Sequence, residues 1–283
     1  MIKRKLKNSP KARVSQLKTK ANIEAVKNSA KKGSVKSLTF GVKRAVGRDS
    51  QGHVSIRHRG GGAKRKYRII QTLKQCGMGP FEVIRFEYDP NRSANIALIK
   101  NSVGELSYII APKDTRVGHK LEYGEKSTVA PGNRLPLSKI PTGIEVHSIE
   151  ITPSSSAKMV RSAGSKATVM AHEAGMTLLK LPSGEIRRFS DKCEASVGSL
   201  GNENHSARKI GKAGIKRHMG IRPTVRGLAM HPAAHPHGGG EGGSSIGMKA
   251  PKTPWGKRTL GVKTRKRFDR GQFIVSRRSK KRK

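Results

Sequence analysis

The distribution of charge along this chain limits its options more than any single motif does. Residues 1–80 carry 22 Lys and Arg against two acids, Glu24 and Asp49. Residues 208–283 carry another 22 against Glu241 and Asp269. Between these arms, residues 81–207 hold 16 basic and 14 acidic residues. Summed over 283 residues, the formal net charge is +42. A compact chain so charged repels itself unless a polyanion neutralises it. Nucleic acid is the first candidate, because phosphate contacts gain affinity by releasing condensed counterions. A lipid surface would call for an amphipathic basic helix with an apolar face, and no stretch has that pattern.

Cys76 and Cys193 stand apart, with no C-x-x-C partner. Two thiols make no disulfide framework, which fits a reducing compartment. No apolar run reaches the roughly 20 residues of a membrane span, and no apolar signal region follows the N-terminus. The first 20 residues are basic and acid-free, but rich in Lys rather than the Arg of organelle transit peptides.

Residues 1–52 offer little to bury and are expected to be an arm that orders on its partner. Short β-rich runs bounded by turn residues then follow. Phe81–Tyr88 ends at Asp89-Pro90-Asn91, Asn95–Ile99 ends near Gly104, and Leu106–Ile110 ends before Pro112. Pro131-Gly132-Asn133 through Pro136 marks a joint. Beyond it, Ile144 and Val146 alternate, whereas Ile149 and Ile151 fall on the other parity. That phase break near His147-Ser148 predicts a β-bulge. Ala167–Ala171 is a further strand, and Met176–Leu181 with Glu185–Phe189 forms a hairpin closed by Pro182-Ser183-Gly184. Short strands without a helical period argue for small barrels. The fold class expected is all-β: two small barrels with extended basic N- and C-terminal arms. The expected division is a basic arm over 1–52, one barrel over 53–130, a second over 131–200, and a Gly/Pro-rich basic extension over 201–283.

Within the basic regions, residues 57–68 place six Lys and Arg around Gly60-Gly61-Gly62. The G-x-x-x-x-G-K-[ST] of a phosphate-binding loop is absent. Glycines without side-chain bulk, guanidiniums that fork onto phosphates, and a stacking Tyr67 together suit RNA backbone tracking; a solvated basic loop is the plain alternative. The run from His231 to Gly243 holds His231, His235, His237 and Glu241, a donor set that suits zinc. Pro232 and Pro236, however, break any helix that would align those imidazoles. A catalytic histidine would need an orienting acid, and acids are nearly absent here. A stiff loop whose imidazoles meet RNA fits these surroundings best. Trp255, the only tryptophan, lies among cations with few apolar neighbours and suits packing on RNA.

Five motifs carry a resemblance. They are Glu87-Tyr88-Asp89-Pro90-Asn91-Arg92-Ser93-Ala94-Asn95-Ile96-Ala97, Arg161-Ser162-Ala163-Gly164, Arg222-Pro223-Thr224-Val225-Arg226-Gly227, the His-Pro-His-Gly-Gly-Gly-Glu-Gly run at 235–242, and Thr253-Pro254-Trp255-Gly256. In this order they resemble the universal large-subunit ribosomal protein L-two family, bacterial type, from about residue 50 onward. The resemblance implies an oligonucleotide-binding-type barrel, then a Src-homology-3-like barrel, then an extension reaching toward the peptidyl transferase centre. It implies a structural role: binding large-subunit rRNA, supporting assembly of that centre, and aiding subunit association. Partners implied are rRNA, other ribosomal proteins and the small subunit through an intersubunit bridge, with no membrane and no homo-oligomer. No cofactor of the chain's own is expected, any Mg2+ arriving through rRNA. The compartment implied is the bacterial-type cytoplasmic ribosome, with an organelle ribosome left open. By motif match, His235 is the family histidine once linked to peptide-bond formation. The family's Met-Asn-Pro-Val-Asp-His reads here Met230-His231-Pro232-Ala233-Ala234-His235. The acid that would orient the imidazole is therefore Ala234, which argues against a general base and for a loop-supporting role.

The residues expected to meet RNA follow from both readings. In the first basic stretch they are Arg57, His58, Arg59, Lys64, Arg65, Lys66, Tyr67 and Arg68. From the middle come Arg92, Arg161 and Lys166. The C-terminal arm supplies Lys212, Lys216, Arg217, Arg222, Arg226, His231, His235, His237, Trp255, Lys263 and Arg265. No catalytic or metal-binding residue is expected. Two other classes compete: a metal-dependent hydrolase built on 231–241, and a histone-like DNA packager indifferent to RNA fold.

Overall fold

A computed structural model of the chain describes residues 33–42, 46–77, 79–241, 244–262 and 273–278. They fall into two compact units. The first takes in the described residues of 1–42, 65–208 and 272–283; the second takes in those of 43–64 and 209–271. Among the described residues no helix is long and apolar enough to cross a membrane.

The described residues of the first unit form strands and short 3-10 turns, with no α-helix among them. A two-stranded ribbon pairs β1 (Thr39–Gly41) with β2 (Lys66–Arg68). A four-stranded antiparallel sheet follows, in the order β5-β4-β3-β6. Its strands are β3 (Phe81–Glu87), β4 (Ile96–Lys100), β5 (Leu106–Ile110) and β6 (Lys120–Leu121). Pairing slips between Val83 and Arg85, leaving Ile84 as the extra residue. This bulge explains why Phe81, Val83 and then Phe86 all point inward although their spacing breaks period two. They close a core with Leu73, Cys76, Ala97, Ile99, Ile109 and Leu121. The other face of β4 is covered too: Ile96 and Leu98 pack with Tyr108 beneath Val35, Leu38 and Ile70.

A second sheet has seven strands, in the order β13-β11-β10-β9-β8-β12-β7. It comprises β7 (Arg134–Pro136), β8 (Glu145–His147), β9 (Ala167–Glu173), β10 (Met176–Lys180), β11 (Ile186–Ser190), β12 (Glu194–Val197) and β13 (Ile274–Ser276). Its core gathers Leu135, Leu137, Ile140, Val146, Ile149, Val169, Leu179, Phe189 and Val197. The phase break foreseen after His147 takes the form of Ser148 in the left-handed region, φ 50°. This turns the chain so that Val146 and Ile149 are both buried. The architecture is that of an oligonucleotide-binding-type barrel followed by an SH3-like barrel.

Two segments assigned to the arms are folded into this unit. Val35 and Leu38 lie three residues apart on one 3-10 turn, so both reach the sheet, and the Val35 N–H donates to Tyr108 Oη at 3.1 Å. At the other end, β13 (Ile274–Ser276), with β-branched Ile274 and Val275, pairs with the edge of β11. Residues 1–32, the greater part of the expected N-terminal arm, lie outside the described residues.

A buried ionic cluster ties the first sheet's loops to the second. Arg134 is fully buried, donating to Glu194 at 3.1 Å, Glu150 at 2.8 Å and the Ser148 carbonyl at 2.9 Å. Glu194 also accepts from Lys74 and Tyr123, both at 3.0 Å. The bond to Glu194 raises the Lys74 pKa. Burial pushes the Cys76 and Cys193 thiols up to about 11, which keeps both unreactive.

Candidate nucleic-acid interface

In the first unit, the Asp-Pro-Asn-Arg motif builds a charged nest. Asp89 and Glu87 are buried carboxylates at the end of β3. Arg92 binds Asp89 at 2.6 Å, and Arg68 lies 3.6 Å from Asp89 and 3.9 Å from Glu87. Arg85 binds Glu87 at 2.7 Å, and the Tyr108 hydroxyl donates to the same carboxylate at 2.9 Å. Two surrounding backbones are stitched on: Arg65 donates to the Pro90 carbonyl at 2.9 Å, and Asn91 donates to that of Lys66 at 2.8 Å. Ser93 Oγ accepts the Ala163 N–H at 3.1 Å, which brings the Arg-Ser-Ala-Gly motif alongside.

Arg161 is different. It is half-buried, and among the described residues no carboxylate pairs with it. Its pKa is lowered by burial first and then by neighbouring Arg92, while Tyr67 acts in the opposite sense. A desolvated guanidinium facing another cation, without an acid of its own, is a ready phosphate ligand. Lys166, by contrast, is already in contact with Glu145.

In the second unit, the glycine run docks on protein. Gly60 N–H donates to Gly220 O at 3.1 Å and Ala63 N–H to His218 O at 3.0 Å. A Cβ on Gly62 would sit 2.9 Å from the Gly220 backbone, so only glycine allows this approach. The backbone-tracking role foreseen for all three glycines is thus taken up internally at Gly60 and Gly62. Gly61 alone faces open space. The Arg222 N–H donates to His58 O, and the His58 ring donates from Nδ1 to Pro223 O, both at 3.0 Å. Around this seam, Arg57, Arg59, Lys64, Lys212, Lys216, Arg217, Arg222 and Arg226 are all exposed. Lys216 and Arg217 occupy the last turn of a short helix, α1 (Ala213–His218).

The histidine loop folds around His235, which is buried. A Cβ on Gly227 would lie 2.6 Å from the His235 ring, so the imidazole occupies space that a glycine leaves. His235 Nδ1 accepts the His237 N–H at 3.0 Å, and His237 Nε2 accepts the Lys252 N–H at 2.8 Å. The rings of His235 and His237 lie 4.7 Å apart. Burial, then His237 and Arg57, lower the His235 pKa. The imidazoles act as acceptors that pin successive loops, and the neutral His235 carries its proton on Nε2. Exposed His231 accepts the Ala233 N–H at 3.2 Å within its own turn. Lys252 opens the turn that presents Trp255, and the Arg57 guanidinium lies 5.8 Å from the indole centroid. Among the described residues no three His, Cys, Asp or Glu side chains converge as a metal site would require.

Residues 35–123 match the family description "Ribosomal Proteins L2, RNA binding N-terminal domain", and residues 130–256 match "Ribosomal Proteins L2, C-terminal domain". The chain belongs to the ribosomal protein L2 family. It is accordingly an RNA-binding component of the large ribosomal subunit, from a family of structural proteins. The boundary between the L2 matches falls at residues 124–129, between β6 and β7. Of the basic positions singled out in the L2 sequence, Lys263 and Arg265 lie outside the described residues. Sequence reading did not single out Phe40. It lies directly opposite Tyr67 in the ribbon, and the only signal was an aromatic in an arm otherwise poor in apolar residues.

Proposed function

We propose that this chain is a structural rRNA-binding protein that helps to assemble the peptidyl transferase centre and to join the two subunits, without catalysis of its own. One observation carries the reading: the second unit has Asp49 and Glu241 as its described acids, and none of its described Lys or Arg side chains pairs with a carboxylate. A fold left so uncompensated needs a polyanion to complete it. Arg57, Arg59, Lys64, Lys212, Lys216, Arg217, Arg222 and Arg226 would meet phosphates there, with Trp255 on a base or ribose. In the first unit, Arg161 is the strongest phosphate ligand, with Arg92, Lys66 and Tyr67 beside it. His235 and His237 serve as loop pins, because both lone pairs that could accept a proton already hold backbone N–H groups. The same reading covers the remaining partners: other ribosomal proteins, and the small subunit through an intersubunit bridge, with no membrane and no homo-oligomer. It covers place and cofactors as well: a bacterial-type cytoplasmic ribosome, no cofactor of the chain's own, and Mg2+ only through the RNA.

The test is co-sedimentation of the tagged chain on a sucrose gradient, with crosslinking to identify bound RNA. Migration with large subunits, and crosslinks clustered in large-subunit rRNA, is the expected result. Migration as free protein, or with DNA, would overturn the reading.

A further inference from the structure

The ribbon carries a feature that neither its packing nor the charged nest uses. Phe40 on β1 and Tyr67 on β2 are directly opposed, their ring centroids 5.3 Å apart and tilted by 50°. Both stay in solvent: Phe40 is 48% and Tyr67 41% exposed. An aromatic pair formed only to hold a ribbon would contribute roughly 0.2–1 kcal/mol. Exposing two large rings on a three-residue strand pair is a poor way to obtain that gain. The neighbouring chemistry indicates what would cover them. Neither ribbon strand contains an acid, Lys66 is exposed next to Tyr67 in sequence, and the half-buried Arg161 lies near Tyr67. An apolar protein partner would have to bury those cations, whereas a nucleotide presents a flat π-face together with a phosphate.

We infer that Phe40 and Tyr67 form a stacking platform for one unpaired nucleobase of the bound RNA, whose phosphate is held by the adjoining cations. The base stacks on the exposed ring face, and because every base has a π-face the contact tolerates sequence. This deepens the proposed function and rests on it. Phe40 and Tyr67 both lie within residues 35–123, the part that matches the RNA-binding N-terminal domain.

The experiment uses the full chain and deproteinised large-subunit rRNA. Affinity is measured by filter binding for the wild type, Phe40→Leu, Tyr67→Leu and Phe40→Trp. Short-wave irradiation and mass spectrometry then locate nucleotide adducts on the wild-type chain. Leucine keeps an apolar cross-strand pair, so the ribbon persists while the π-face is lost. Each Leu variant is expected to bind roughly five- to tenfold more weakly at unchanged salt slope. Phe40→Trp should keep wild-type binding, and an adduct should map to Phe40 or Tyr67. Affinity loss without an adduct, an adduct without affinity loss, or crosslinking of the pair to a protein in assembled particles would overturn the inference. If the wild type bound no rRNA at all, the proposed function itself would fall.

Discussion

Both units are rich in cations, but among the described residues only the first pairs Lys and Arg with acids. In the first, Arg68, Lys74, Arg85, Arg92, Lys113, Arg134 and Lys166 each meet a carboxylate. In the second, the one ion pair among the described residues joins His53 and Asp49 at 3.9 Å. The first unit also has apolar cores on which to spend its charges as clamps. The second is assembled largely from backbone hydrogen bonds, close glycine contacts and imidazole acceptors. An arginine therefore has no fixed meaning in this chain. Where a sheet brings it an acid it holds the fold, and where none arrives it is left for the RNA.

The sharpest way to break this contrast is at Glu194, the carboxylate shared by Arg134, Lys74 and Tyr123. Replacing it by Leu leaves the fully buried Arg134 with only Glu150 as a charged partner. The expected cost is about 3 kcal/mol, since a buried charge that loses its partner is not resolvated. Glu203 makes the matching control: its pair with Lys113 is half-exposed, and Glu203→Ala should cost under about 1 kcal/mol. Urea unfolding followed by far-ultraviolet circular dichroism measures both. Equal losses would mean that burial does not distinguish these pairs.

The next largest effect is that of pH on the same region. His147 is buried next to Arg134, and burial first, then that charge, lower its pKa to about 3. Nδ1 lies 3.0 Å from Ser148 Oγ, and Nε2 has no protein partner. The unfolded chain takes up the proton near pH 6.5 and the folded one only near 3, so stability is intact above 6.5 and falls as the pH drops between them. At pH 5 the loss should be about 2 kcal/mol. His147→Gln should remove that part of the acid sensitivity. A variant as acid-sensitive as the wild type would place the titration elsewhere.

The sequence made these clamps only partly visible. Strands β3 and β5 were legible because alternation and turn residues bound them, and the parity change at Ile149 anticipated the left-handed Ser148. The bulge at Ile84 was hidden, since a single slipped residue leaves no compositional mark. So was β13, because a three-residue strand gains its stability from an edge far away in sequence. The seam between Gly60–Ala63 and His218–Arg222 is made of backbone, and glycines carry no side-chain signal of what they touch. Basic positions were readable from composition. Their compensation was not: Asp89 and Arg92 are three residues apart, but Arg68 reaches Asp89 only once the nest around β3 has folded.

That difference in compensation predicts a double dissociation. Arg222→Gln should leave unfolding unchanged, weaken rRNA binding, and lower the salt slope by about one. Arg68→Gln should act the other way round, because its guanidinium is held at Asp89 and Glu87. The size at Arg222 is about 1 kcal/mol, typical of one exposed phosphate contact. A fall in slope for Arg68→Gln as large as that for Arg222→Gln would erase the distinction between the units.

The smallest effect concerns whether the second unit has any organisation before RNA arrives. Trp255 is the only tryptophan and is 77% exposed, so its emission reports a single place. Arg57 lies over it at 5.8 Å, linking the first basic stretch to the turn at Lys252. A cation over an exposed indole is worth about 0.5–1 kcal/mol, too little to move an unfolding curve but enough to screen the ring. In the free protein, Arg57→Gln should therefore raise the acrylamide quenching constant of Trp255. Adding rRNA should protect the indole in wild type and variant alike, because stacking on a base replaces the lost cation. An identical quenching constant in the two free proteins would mean that Arg57 and Trp255 meet only when RNA brings them together. The order of the second unit would then derive from its partner, and the contrast with the self-sufficient first unit would become sharper still.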